Sequence, residues 1–126
     1  MLFFQKKGEQ LFREEERELL QFIFKTISPA VVACGGGTPC FFDNMEQMNK
    51  NGLTVYLDIS PAELARRLQD ATRKRPLLES IEDDDLENHL KNLLQTRQVY
   101  YSQAKLRISN DHLSIDELYE KIQAMR

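Results

Sequence analysis

Ala30-Val31-Val32-Ala33-Cys34-Gly35-Gly36-Gly37 is the stretch on which the reading of this chain turns. Five small or β-branched apolar residues run straight into three of the chain's five glycines. The apolar run predicts a short strand buried on both faces, as in a parallel sheet. The glycines predict that its carboxyl end breaks into backbone free of side chains. Such backbone can take conformations closed to other residues and lets a ligand approach the main-chain N–H groups. A binding floor at a strand end and a plain strand-to-helix turn both fit this local pattern.

Outward from that strand, residues 8–25 place Leu11, Phe12, Leu19, Leu20, Phe22 and Ile23 at helical spacing around a charged stretch from Arg13 to Glu18. On the other side, Asp43 is a candidate N-cap for a short helix through Met45 and Met48 that stops at Asn51-Gly52. Residues 53–59, LTVYLDI, read as a second strand. Ser60, Pro61 and Glu63 then form a capping-box pattern with proline at the first helical position, opening a helix that turns Leu64, Ala65 and Leu68 inward. Residues 70–85 pass from basic Arg73-Lys74-Arg75 through Pro76 to an acidic run and predict a mobile excursion. A long helix follows from Asp85 through Leu90, Leu94, Tyr100 and Ala104, then a short strand at 106–108, and a last helix capped by Ser114 and Glu117. This alternation predicts an α/β fold with a parallel sheet and helices on both faces.

The chain has 126 residues, a length that accommodates one domain with its own core. Charged residues make up 29% and the net charge is −3, so no basic surplus points to nucleic acid. No apolar run reaches the roughly 20 residues of a membrane span, and residues 1–7 lack a signal-peptide pattern. Cys34 and Cys40 lack zinc-site spacing; they predict a reducing compartment, hence the cytoplasm, with Cys34 buried as a small apolar residue.

Three arginines stand out as anion ligands. Arg97 follows Leu90 by seven and Leu93 by four, which puts it on the inward face of its helix, either as a carboxylate or phosphate fork or as a stem that packs with its head in water. Arg13 has Glu16 one turn on, which reads as a preoriented clamp or as an ordinary solvated pair. Arg75, fixed by Pro76, can swing over a site to meet a transferring phosphoryl group, or belong to a solvated basic cluster.

Four segments taken together, GEQLFREEE from Gly8, VVACGGG ending at Gly37, RPLL from Arg75 and RQVYYSQA from Arg97, resemble the shikimate kinase family in order and spacing over nearly the whole chain. The resemblance implies a three-layer parallel-sheet P-loop kinase fold. It implies transfer of the ATP γ-phosphoryl group to the 3-hydroxyl of shikimate, with ATP and Mg2+ as cofactors. It assigns Arg13 and Arg97 to the substrate carboxylate, Glu16 to orienting Arg13, and Phe12, Gly35, Gly36 and Gly37 to the substrate pocket, with Gly36 touching a hydroxyl through its backbone. Arg75 becomes the lid arginine on the ATP phosphates, within a lid at 69–85, and Arg67 a residue flanking adenine. Family members are usually monomers. One departure is large: no glycine here precedes a lysine, so GxxxxGK[ST], which cradles phosphates and holds the metal, is absent from these residues. The expectation is therefore an incomplete fold, 1–126 forming one domain without the first two strands and the P-loop. A chain of that kind is expected to be inactive alone and prone to self-association through unpaired strand edges. A noncatalytic anion-binding module, and a P-loop kinase for another hydroxy acid such as gluconate, are the competing readings.

Overall fold

The computed structural model describes residues 7–26, 30–72 and 83–125. These fall into two compact units, one ending at Thr54 and one starting at Val55.

In the first unit, α1 (Lys7–Thr26) carries Glu9 in its first turn and Lys25 in its last, the polarity that complements a helix dipole. Leu20 is its buried anchor, whereas Leu11, Leu19 and Phe22 are exposed. A single 3-10 turn, Thr38–Cys40, leads to α2 (Asn44–Asn51), which ends at Gly52, whose N–H donates to the Met48 carbonyl. Met45 and Asn44 are buried between these pieces.

The strand expected at 30–34 does not form. Residues 30–36 carry no ladder pairing among the described residues and are exposed, with Val31 fully so. A strand exists only through a neighbour that takes up its N–H and C=O groups. Among the described residues only 55–57 and 106–108 pair. Cys34, expected to be buried, is exposed for the same reason.

The second unit is built on those two strands. β1 (Val55–Leu57) and β2 (Leu106–Ile108) pair in parallel, Val55 opposite Leu106 and Leu57 opposite Ile108. Parallel neighbours need a long crossover. Here it contains α3 (Pro61–Thr72) and α4 (Asp83–Tyr101), which pack on each other; α5 (Ile115–Ala124) follows β2. Among the described residues, Ile59, Ala65, Leu86 and Ile108 are the buried apolar residues of this unit.

Both predicted caps are present, with a change of partner. The Ser60 and Ser114 hydroxyls accept from the N–H groups of Glu63 and Glu117 at 3.3 and 3.1 Å. The returning carboxylates of two capping boxes do not close. Asp111 takes the Ser60 N–H at 2.8 Å and its hydroxyl at 2.6 Å, while Glu63 turns to arginines. Of the expected lid, 69–72 belong to α3 and 83–85 to α4; Arg73, Lys74, Arg75 and Pro76 lie outside the described residues.

Candidate functional site

The first unit places the glycines against the FREEE segment of α1. Arg13 and Glu16 lie one turn apart and are joined from Arg13 Nη1 to Glu16 Oε1 at 3.0 Å, with both side chains only 17% exposed. Such a pair is far less screened than a surface pair, so its geometry is held. Phe12 and Phe41 flank the guanidinium, whose Cζ lies 5.2 and 4.3 Å from the two ring centroids. Each ring attracts the cation through its negative face.

Gly37 also lies directly against the guanidinium. A Cβ built there would sit 2.6 Å from Arg13 Nη2 and 2.9 Å from Nη1. The role of this glycine is therefore space. No described glycine has positive φ, and Gly37 itself has φ −86° and ψ −16°. The conformational freedom expected of the triplet is not what these positions use. Gly35 is looser, its Cβ position 3.4 Å from Thr38 Oγ1 and 3.9 Å from Glu16 Oε2. The Gly36 carbonyl accepts from the Cys40 thiol at 3.9 Å. Gly35 and Gly36 are exposed, which leaves this backbone accessible to a ligand.

Three residues beyond the sequence expectation complete the arrangement. The buried Thr38 hydroxyl donates to Glu16 Oε2 at 2.7 Å, so both Glu16 oxygens are engaged. Asn44, with no exposed surface, donates from Nδ2 to the Thr38 carbonyl at 2.9 Å. Phe41 supplies the nearer ring on Arg13. Thr38 directly follows the glycines, and a hydroxyl at that point was the available sequence signal. Nothing in the spacing marks Phe41 or Asn44. Partial desolvation, and then the negative charge of Glu16, raise the Cys34 thiol above its ordinary value, which keeps it protonated and poorly nucleophilic at neutral pH.

In the second unit Arg97 is half-buried on α4 and donates from Nη1 to Tyr101 Oη at 3.4 Å. Helical i,i+4 spacing makes Tyr101 a neighbour that the sequence could have shown. Its ring lies 5.1 Å from Tyr56 on β1. Tyr56 Oη donates to Asp58 Oδ1 at 3.2 Å, and Arg107 of β2 grips Asp58 Oδ2 through Nε at 2.9 Å and Nη2 at 2.5 Å. Partial desolvation acts upward on Asp58, but the donors Arg107 and Ser109 outweigh it and hold the carboxyl below its ordinary value. The same surroundings, burial first and Asp58 second, push the Tyr56 hydroxyl up.

Arg67 lies on α3, half exposed, with Nε 3.2 Å from Glu63 Oε1 and Nη2 donating to the Asp111 carbonyl at 2.7 Å. Glu63 also accepts from Arg66 Nε and Nη2, whose Nη1 goes to Asp70. These hydrogen bonds, Arg66 foremost, bring Glu63 from its ordinary 4.5 to about 2. Arg67 thus keeps one face toward solvent while its polar edge ties α3 to the loop after β2. Arg75 lies outside the described residues.

A further groove runs along α1, lined by Arg17, Gln21, Phe22, Lys25 and Phe42. It shares no residue with the Arg13 cluster. Among the described residues no group of acidic, histidine or cysteine side chains could hold a metal ion, and no helix is long and apolar enough to cross a membrane.

The sequence model of shikimate kinase matches residues 2–126. Curated shikimate kinases of Phocaeicola vulgatus, Bacteroides thetaiotaomicron and Bacteroides fragilis are 44%, 42% and 43% identical over 94%, 87% and 80% of this chain. The matches span 72%, 62% and 56% of those relatives' own lengths. The crystal structure of a Bacteroides thetaiotaomicron shikimate kinase superposes with a TM-score of 0.82 and 38% identity, over 98% of this chain and 70% of that one. The parallel α/β arrangement is therefore that of a P-loop kinase. With residues 2–126 matched to one family, and the FREEE helix and triple glycine meeting around one guanidinium, this chain belongs to the shikimate kinase family, a family of ATP-dependent kinases.

Proposed function

We propose that this chain carries the shikimate-binding and lid portions of a shikimate kinase, forming one domain with the lid at 69–85. The observation that supports it is the guanidinium of Arg13, held by Glu16 and two rings against side-chain-free backbone. In this reading Arg13 and Arg97 bind the carboxylate of shikimate, Phe12 lines the pocket, and the backbone of Gly35, Gly36 and Gly37 receives the ring hydroxyls, Gly36 foremost. Two arginines suit a planar carboxylate because each can offer paired N–H donors. Arg75 serves the phosphates of ATP and Arg67 flanks its adenine.

The chain's contribution to phosphoryl transfer is positioning. It fixes the acceptor by its carboxylate, so that the 3-hydroxyl presents one orientation to the γ-phosphoryl group. The phosphate and metal end does not fit the residues present: GxxxxGK[ST] is absent from the sequence and the described residues offer no acidic cluster for Mg2+. These 126 residues are therefore expected to bind shikimate without turning over ATP.

Calorimetric titration of the chain with shikimate and with gluconate tests the reading. Saturable binding of shikimate, weakened at least tenfold by Arg13→Met or Arg97→Met, is the expected result. Equal binding of gluconate would point to another hydroxy acid. Shikimate-dependent ADP release in a coupled assay would contradict the expected lack of turnover, whereas anion binding without discrimination would favour a noncatalytic module.

A further inference from the structure

We infer that Thr38 is a positioning residue for substrate binding: its hydroxyl fixes Glu16, and Glu16 fixes the guanidinium of Arg13. The inference rests on the reading of Arg13 as the carboxylate ligand. A carboxylate beside an arginine on the same helix has two oxygens and rotates about its own bonds, so one hydrogen bond leaves its plane free to turn. Here Oε1 takes Arg13 Nη1 at 3.0 Å and Oε2 takes the Thr38 hydroxyl at 2.7 Å, which fixes that plane from both sides. Thr38 is 4% exposed, so water has little access to the donor side of the bond.

Thr38 is itself held from three directions. Its N–H donates to the Gly35 carbonyl at 3.1 Å, its carbonyl accepts from Asn44 Nδ2 at 2.9 Å, and it begins the 3-10 turn in which the Cys40 N–H reaches the Gly37 carbonyl at 3.0 Å. The buried Asn44 thereby anchors the loop that carries the glycine floor, and Thr38 ties this loop to α1. One hydroxyl couples the two halves of the substrate pocket found in this unit: the backbone that meets the hydroxyls and the arginine that meets the carboxylate. The two rings limit the travel of the Arg13 guanidinium toward them. The Thr38–Glu16 bond fixes the carboxylate to which that guanidinium donates. A pocket lacking it retains the same charge in a less defined direction, and loses the preorganisation that makes a bidentate carboxylate contact strong.

The test compares Thr38→Val, which keeps the shape and removes the hydroxyl, with Thr38→Ser, which keeps the hydroxyl. Shikimate and its methyl ester are titrated by calorimetry, and the Arg13 guanidinium is followed by 15N NMR without ligand, its signal assigned with Arg13→Lys. Thr38→Val is expected to lower shikimate affinity about tenfold, the loss typical of one charge-assisted hydrogen bond, to change ester affinity far less, and to speed rotation of the Arg13 guanidinium. Thr38→Ser should restore both. Affinity and guanidinium rotation unchanged in Thr38→Val would overturn the inference, as would equal losses for acid and ester. If Thr38→Val does not fold, hydroxyl exchange in the unsubstituted chain decides: a Thr38 hydroxyl proton protected from water supports the bond, and rapid exchange overturns it. If shikimate does not bind at all, the assignment of Arg13 to the substrate fails. Guanidinium dynamics still judge the part played by Thr38.

Discussion

Gly37 occupies a backbone conformation open to any residue, yet its neighbour Arg13 leaves no room for a side chain. These two facts make an unusual prediction for Gly37→Ala. Alanine suits φ −86° and ψ −16° and limits the unfolded chain, so the melting temperature is expected to stay within a few degrees of the original. The new methyl displaces the guanidinium tip, a flexible group that can move away. Shikimate affinity is expected to fall tenfold or more while thermal unfolding by circular dichroism is nearly unchanged; loss of both together would show that the glycine serves the fold. Phe42 shows the reverse situation, since it takes the left-handed φ of 52° that glycine was expected to supply. Its ring lies 5.1 Å under Arg17, which pairs with Asp43 at 3.2 Å. The FREEE and triple-glycine elements were legible in the sequence because they combine a charge pattern with a missing side chain. Thr38, Phe41 and Asn44 were not, because their roles depend on how a loop folds back on a helix and leave no periodic trace.

The helices were the most legible elements, and their ends show why. Proline at the first position and Ser60 before it mark the start of α3 through local geometry alone. What local pattern could not show is that Asp111, across the fold, would take the place of the capping-box carboxylate and release Glu63 to Arg66 and Arg67. That exchange has a pH signature. Glu63 titrates near 2 in the folded chain against its ordinary 4.5, so its stabilisation is complete above 4.5 and drains away as pH falls toward 2, where the unfolded chain binds the proton more readily. Hydrogen bonds from the Ser60 side chain and backbone lower Asp111 in the same direction. The melting temperature is expected to decline between about pH 5 and pH 2, and Glu63→Gln should flatten that slope while lowering the plateau at neutral pH. A slope unchanged in Glu63→Gln would assign the acid sensitivity to other carboxylates. Strand 106–108 was readable because apolar Leu106 and Ile108 alternate with charged Arg107, which agrees with its pattern of burial. The 30–34 segment misled because apolar composition reports what a strand would bury, and pairing depends on residues far away in sequence.

Few apolar side chains are buried: Leu20, Met45, Ile59, Ala65, Leu86 and Ile108 among the described residues. Meanwhile Leu11, Leu19, Phe22, Val31 and Val32 are exposed in the first unit. Extended apolar backbone without ladder partners is a template for further pairing. Sedimentation velocity is expected to show an average mass that rises with protein concentration, and Val31→Lys with Val32→Lys should suppress the rise. A concentration-independent monomer would refute this.

The fork from Arg107 to Asp58 also bears on how quickly the chain reaches its native state. Ser109, whose hydroxyl shares that carboxylate with Arg107, stands 51 residues from Asp58, with α3 and α4 on the path between them. Closing so long a loop is entropically unfavourable until the intervening helices have packed. The two strands are therefore expected to join on the native side of the folding barrier. Arg107→Ala should accelerate unfolding severalfold and leave the refolding rate nearly constant, so that this ion pair acts as a latch on escape from the folded state more than as a guide toward it.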